Sequence, residues 1–365
     1  MRTQRGRDGG KEARMPQAYS LVAPRTLELR QYEEPPLGPR DVRLQSVISG
    51  ISHGTELNLY RGSSPFAQKH FDRLHRLFMP NEEPGFRQMR LGYEMVSRVV
   101  EVGREVSAVS VGQLVHTATP HQPSTVVNMD RDAEAEIPMQ VLPDGVTPRQ
   151  AIFSALVGVA LVAVHDAQIK IGDHVVVIGL GTIGLVTAQL ARLNGAMQVM
   201  AVDPIAKRRE MARRLGADEV IDPNELDPAE VCKFRDGPQG ADVVIEASGH
   251  YAGLQTALRC AHMGGRVVAL GYYQGGATPV RLGEEWHHNR LTLISSMGVW
   301  GCPSRYFPMW DRRRAARTVL DLLARGMVQV ERLITHTFPY QDAPAAYRLI
   351  DEHPEETIKV ALTYE

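Results

Sequence analysis

Three glycines, Gly179, Gly181 and Gly184, stand in "VVVIGLGTIG" in the G-x-G-x-x-G spacing, directly between a Val/Ile run and a helical pattern. This arrangement suits a diphosphate. Gly179 makes a tight turn, Gly181 lets backbone approach the pyrophosphate, and Gly184 lets helix and strand pack closely. Thr182 and Ile183 occupy the first helical turn, where free N–H groups and the helix dipole favour an anion. Asp203 ends the next apolar run, 19 residues beyond Gly184. A carboxylate there accepts hydrogen bonds from the adenosine ribose hydroxyls and repels a 2′-phosphate, which predicts NAD as cofactor. Lys207 and Arg208 follow. They either soften that preference or form a solvated helix face.

The elements around this motif follow from hydrophobic patterning. Between about residues 151 and 300, apolar strands such as "HVVVIG", "QVMAVD", "ADVVIEAS", "GRVVALG" and "LTLISS" alternate with helical stretches. Near-continuous Val/Ile/Leu strands between helices predict a parallel sheet covered on both faces. Ser248, Gly271 and Ser296 close strands of that sheet and are expected on the cofactor side, because ligands bind at the carboxyl ends of parallel strands. From Tyr19 to about Val146 the pattern is short β-type runs broken by Gly and Pro. After about residue 304 come a long helix and a final strand, "TIKVALTY". The expected fold class is α/β: a Rossmann doubly wound sheet at 155–300 and a β-rich, GroES-like catalytic domain at 15–154 and 301–365. Residues 1–14, basic and Gly-rich, read as a disordered extension.

Length 365 fits two domains. A net charge of −1 gives no reason to expect nucleic acid or a membrane surface as partner. Cys232, Cys260 and Cys302 are far apart with no C-x-x-C, which disfavours a disulfide scaffold and fits a reducing cytoplasm. The apolar run Ala151–Val164 is too short to span a bilayer and reads as a buried helix.

With these motifs and this order, "IKIGDHVVVIGLGTIGL", "RRLGADEVID" and "DVVIEASG" resemble the cofactor domain of the medium-chain dehydrogenase/reductase superfamily, the zinc-type alcohol dehydrogenases. "ISHGTEL", "GYEMVSRVVEVG" and "PHQPSTVV" are similar to the subgroup of bacteriochlorophyllide a dehydrogenase-like proteins. The resemblance implies an NAD-dependent enzyme acting on a small hydroxyl or keto compound, as a homodimer or homotetramer. It also implies a catalytic zinc, and there the chain departs. The first ligand position falls on His53, the second on Tyr93 and the third on Ala155, while Glu94 is retained.

A residual metal at His53 and Glu94 stays open, but the expectation is a metal-free site. Hydrogen-bond donors then meet the charge on the substrate oxygen. His53 and Tyr93 are the expected acid/base and hydrogen-bonding groups, with Thr55 as proton carrier and Glu94 behind them. Asn58 stands where the relatives' relay continues to a histidine, and it cannot accept a proton. Glu56 is read as a positioning residue and His121 as a further candidate. The segment 63–90, rich in Phe and Arg, reads as a binding loop or as a solvated helix. The expected reaction interconverts a secondary alcohol and a ketone on a polyol, cyclitol or sugar-like substrate. Two alternatives are a redox-neutral epimerase or lyase holding NAD, and a dinucleotide-binding protein without catalysis.

Overall fold

The computed structural model describes residues 15–135, 137–234, 239–298 and 305–365. The expected extension at 1–14 and Cys302 lie outside the described residues.

The cofactor sheet has six parallel strands. Their order is Glu219–Ile221, Gln198–Val202, His174–Ile178, Ala241–Glu246, Ala261–Ala269 and Thr292–Ser295. The first strand in sequence, His174–Ile178, lies in the middle, and the chain winds outward from it in both directions. That reversal leaves a crevice at the carboxyl ends of the two central strands, where a doubly wound sheet takes its ligand. Both faces of the central strand are covered. Val175 and Val177 enter one apolar core, Val176 and Ile178 another. This explains an unbroken apolar run where a one-sided strand would alternate. Ser154–Ala167, the helix predicted from the apolar run, is buried along most of its length. Among the described residues no helix is long and apolar enough to cross a membrane.

The second sheet positions the catalytic candidates. Its long strand, Asp41–Ile51, pairs antiparallel with Met95–Val102 on one side and with the final strand, Lys359–Thr363, on the other. In this register Ser49 opposes Met95 and Ile51 opposes Val360. Glu94, just ahead of Met95, and Lys359, just ahead of Val360, therefore flank Gly50 and Ile51. Leu114–Thr117 pairs next to Met95–Val102, and Gln140–Val141 pairs next to it.

Segment 63–90 is neither an irregular loop nor a helix. It contains a short 3-10 turn, Pro65–Ala67, and a hairpin of Lys69–Asp72 with Leu77–Pro80. Its phenylalanines pack on one another, Phe66 on Phe78 and Phe71 on Phe78, with ring centroids 5.9 and 5.2 Å apart.

Candidate functional site

The glycine turn is built as its spacing requires. Gly179 has φ +86°, a conformation that L side chains rarely adopt. A Cβ on Gly184 would lie 1.8 Å from the Gly179 carbonyl oxygen, so helix Thr182–Leu193 sits as close to the strand end as backbone allows. Gly181 is different, since a Cβ there would meet nothing within 4 Å. The Asp203 carboxylate is buried and accepts from the Leu180 N–H at 2.7 Å and the Ile205 N–H at 2.8 Å. It thus braces the turn from the neighbouring strand.

Other residues read as cofactor contacts divide into two groups. Ser248 packs beneath Gly179, and Gly271 lies against Gly249. The Ser296 N–H donates to the Ala269 carbonyl at 2.9 Å, in line with the sheet's end. Arg208 stands 3.7 Å from Asp203 and also donates to the Pro354 carbonyl at 3.2 Å. Thr182 donates through its hydroxyl to the Ile358 carbonyl at 2.8 Å, and Ile183 packs on the apolar core. Lys207 turns away and donates to the Glu356 carbonyl at 2.8 Å. Thr182, Lys207 and Arg208 therefore tie the dinucleotide sheet to the C-terminal segment 354–358. None of the three is a merely solvated residue.

The catalytic candidates converge at the register point described above. Tyr93 donates its hydroxyl to Ser52 Oγ at 2.6 Å, and Thr55 lies beside it. Burial, with the negative Glu94 beside it, raises the Tyr93 pKa, so the phenol keeps its proton. Thr55 begins a short helix, Thr55–Tyr60, and is exposed, whereas Ser52 is buried. The three hydroxyls thus form a string from the interior to the surface. Asn58 Nδ2 donates to the Gly54 carbonyl at 2.6 Å, so the string does not continue through it.

His53 Nε2 is buried without a hydrogen-bond partner. Burial, followed by the positive charges of Lys359 and Arg208, holds the imidazole well below its ordinary pKa, and the ring is neutral. Glu94 is fully buried and pairs with Lys359, also fully buried, which donates to the Ile51 carbonyl at 3.0 Å as well. The partner of Glu94 is thus a lysine of the final strand, not an arginine. Burial raises the Glu94 pKa even though Lys359 pulls it down. Gly92 has φ +109°, and a Cβ on it would strike the His121 backbone nitrogen at 2.7 Å. Only glycine fits the bend that delivers Tyr93 and Glu94.

His121 is not available to a substrate. Its Nε2 meets Glu56 Oε2 at 3.0 Å and its Nδ1 meets Ser49 Oγ at 2.7 Å. Tyr347 donates to Glu56 too, and the Ser52 N–H donates to Glu56 Oε1 at 2.8 Å. Although burial opposes it, the charge and hydrogen bond of His121 with the other donors hold Glu56 below the usual carboxylate pKa. Glu56 therefore positions Ser52, as expected. Ser52 and Lys359 were not anticipated from the sequence. The signal for Lys359 was a lysine inside the apolar run "IKVAL", which demands a buried partner.

The family model described as zinc-binding dehydrogenase matches residues 182–313. D-guloside 3-dehydrogenase of Escherichia coli K12 is 33% identical over 349 residues, covering 94% of this chain and 98% of that protein. L-threonine 3-dehydrogenase of Pyrococcus horikoshii is 29% identical over 335 residues, covering 85% and 88%. Among solved structures, a protein of Sinorhizobium meliloti described as a zinc-binding dehydrogenase, bound to NADP, superposes with TM-score 0.74 at 24% identity, covering 96% and 99%. These likenesses, on a six-stranded sheet with its glycine turn and a second, β-rich sheet, fix the relationship: the chain belongs to the medium-chain dehydrogenase/reductase superfamily and is an oxidoreductase of the alcohol dehydrogenase type that uses a nicotinamide dinucleotide.

Proposed function

We propose that the chain is a zinc-independent, NAD-dependent oxidoreductase that interconverts a secondary alcohol and a ketone on a polyol, cyclitol or sugar-like substrate. The observation that carries this reading is the Glu94–Lys359 pair beside the Ser52–Tyr93–Thr55 hydroxyl string. A catalytic zinc needs about three N, S or O ligands and an open position. Here His53 offers one nitrogen, Ala155 offers nothing, Tyr93 keeps its proton, and Lys359 engages Glu94. This donor set does not suit zinc. Among the described residues the cluster His353, Glu355 and Glu356 has metal-type spacing, but all three are exposed, and exposed acidic groups are common without an ion.

The dinucleotide supplies or accepts the hydride. The chain's residues handle the proton and the charge. Tyr93, protonated, donates to the substrate oxygen as negative charge builds there. Ser52 and Thr55 exchange protons with it, and Thr55 faces solvent. Neutral His53 accepts a hydrogen bond from the substrate hydroxyl through Nε2. The β-rich parts, 15–154 and 301–365, hold these groups, and 155–300 holds the cofactor. Asp203 supports NAD, because a 2′-phosphate would approach a buried carboxylate. The substrate class is supported by the likeness to D-guloside 3-dehydrogenase. A homodimer or homotetramer in the cytoplasm completes the reading.

The test is a panel of polyols, cyclitols and glycosides with NAD, followed at the NADH absorbance band. Net NADH formation supports the proposal. Product without net NADH would replace it with a redox-neutral epimerase or lyase. Binding of NAD without turnover of any compound would leave a non-catalytic protein.

A further inference from the structure

A second group of chemically capable residues lies outside the cluster just described. A pocket of about 100 Å³ opens beside Ala155, the third metal-ligand position of the zinc relatives. Its wall includes His116 from strand Leu114–Thr117, Gln140 from the neighbouring strand, and Ser154 from the start of the buried helix. His116 is 0% exposed, and neither ring nitrogen has a partner. Gln140 Oε1 and Ser154 Oγ are likewise buried and unpartnered. Four orphaned polar atoms around one space are unusual, since buried polar groups nearly always find a partner. The rest of the wall is largely apolar, with Val159 and Val162, and Arg312 is exposed on it.

The pocket lies near the Glu94–Lys359 pair. Ser154 follows Phe153, whose ring centroid lies 5.6 Å from Lys359 Nζ, and Lys359 bonds Glu94. His116 pairs across the sheet with Val96, two residues beyond Glu94. The pocket and the Glu94–Lys359 pair thus flank one turn of chain, Phe153–Ala155.

We propose that this pocket is a subsite for vicinal hydroxyls of a neutral polyhydroxylated substrate, receiving the part of the molecule away from the oxidised carbon. This deepens the dehydrogenase reading and rests on it for the identity of the ligand as substrate. The chemistry matches. Burial holds the His116 pKa down to about 4, so at neutral pH one ring nitrogen donates and the other accepts. Gln140 Oε1 accepts, and Ser154 Oγ does both. A diol offers the complementary pattern, each hydroxyl donating once and accepting. At about 100 Å³ the space suits a two- or three-carbon hydroxylated fragment rather than a whole sugar ring.

The experiment uses the full chain with NADH bound and its histidine ring nitrogens labelled with ¹⁵N. The His116 signals are assigned by their absence in His116→Gln. Sorbitol, myo-inositol and methyl α-glucoside are titrated in turn. At least one should move both His116 nitrogen resonances, and Ser154→Ala should weaken that titration roughly fivefold, the worth of one hydrogen bond. In kinetics, His116→Phe should lower the kcat/KM of the best-oxidised polyol relative to 2-butanol about tenfold. His116→Gln, which keeps a donor and an acceptor, should recover part of it. If no polyol moves the His116 signals, the subsite is refuted whatever the activity. An equal loss on polyol and 2-butanol in both variants would also refute it. Moved signals without any NADH formation would uphold the subsite and sink the dehydrogenase reading instead.

Discussion

The Tyr93 hydroxyl donates to Ser52 Oγ at 2.6 Å, at the place where the zinc relatives present a metal-binding histidine. One half-buried phenol, held protonated, thus takes the position of a ligand. Tyr93→Phe removes only that hydrogen-bond donor and leaves the ring to fill its space. Loss of one such donor costs about 10²–10³ in kcat. We expect a fall in that range with an unchanged melting temperature and NAD affinity. Steady-state kinetics beside a thermal melt would check it, and an unchanged kcat would remove Tyr93 from the chemistry.

Gly181 and Gly184 separate cofactor binding from folding. A Cβ on Gly181 meets nothing, and its φ of −66° suits any residue. Gly181→Ala should therefore melt like the parent chain but bind NAD at least about tenfold more weakly, because the methyl group meets the pyrophosphate. Gly184→Ala forces a methyl group onto the Gly179 carbonyl and should cost about 3 kcal/mol of stability. Urea unfolding and NADH fluorescence titration of the two variants measure the contrast. Equal behaviour would contradict it.

Asp203→Ala should weaken NAD and lower the NAD/NADP preference in kcat/KM by at least about tenfold. Because the carboxylate also braces Leu180 and Ile205, the variant loses affinity for both cofactors, and the ratio is the informative quantity. An unchanged ratio would overturn the preference for NAD.

Lys359→Met leaves Glu94 buried without its cation. Breaking one side of a buried pair costs about 3–5 kcal/mol. Adding Glu94→Gln should return much of that, and chemical denaturation of the single and double variants gives the coupling directly.

His116 makes stability depend on acidity. Its ordinary pKa is 6.5, and burial lowers it to about 4 in the folded chain. The unfolded chain therefore takes up the proton first. The contribution of the neutral ring is fully present above pH 6.5 and is lost as pH falls towards 4, amounting to about 3 kcal/mol. His116→Gln should flatten the unfolding free energy across that window. A slope equal to the parent's would show that the ring is solvated.

How much of this was legible in the sequence depended on the range of the interaction. The glycine turn, the flanking strands and Asp203 are local or nearly so, and periodicity with spacing places them. The position of Tyr93 follows from Gly92 and its neighbours. What eluded local pattern were partners supplied across the sheet. Lys359 meets Glu94 over 265 residues, and His121 meets Glu56 over 65. Only the register of three antiparallel strands brings the first pair together. The hairpin at Lys69–Pro80 was missed because its strands are four residues each and exposed on most of their length, without the alternation that marks a half-buried strand.

The claim on which the account rests is that side-chain protons meet the charge on the substrate oxygen where the relatives use a cation. The most direct measurement compares NADH formation by the chain before and after exhaustive chelation, with zinc content determined on the same samples. Full activity after chelation is expected, with well under one zinc per chain throughout. Activity that vanishes on chelation and returns with one equivalent of zinc, bound in the parent chain but not in His53→Ala, would contradict it.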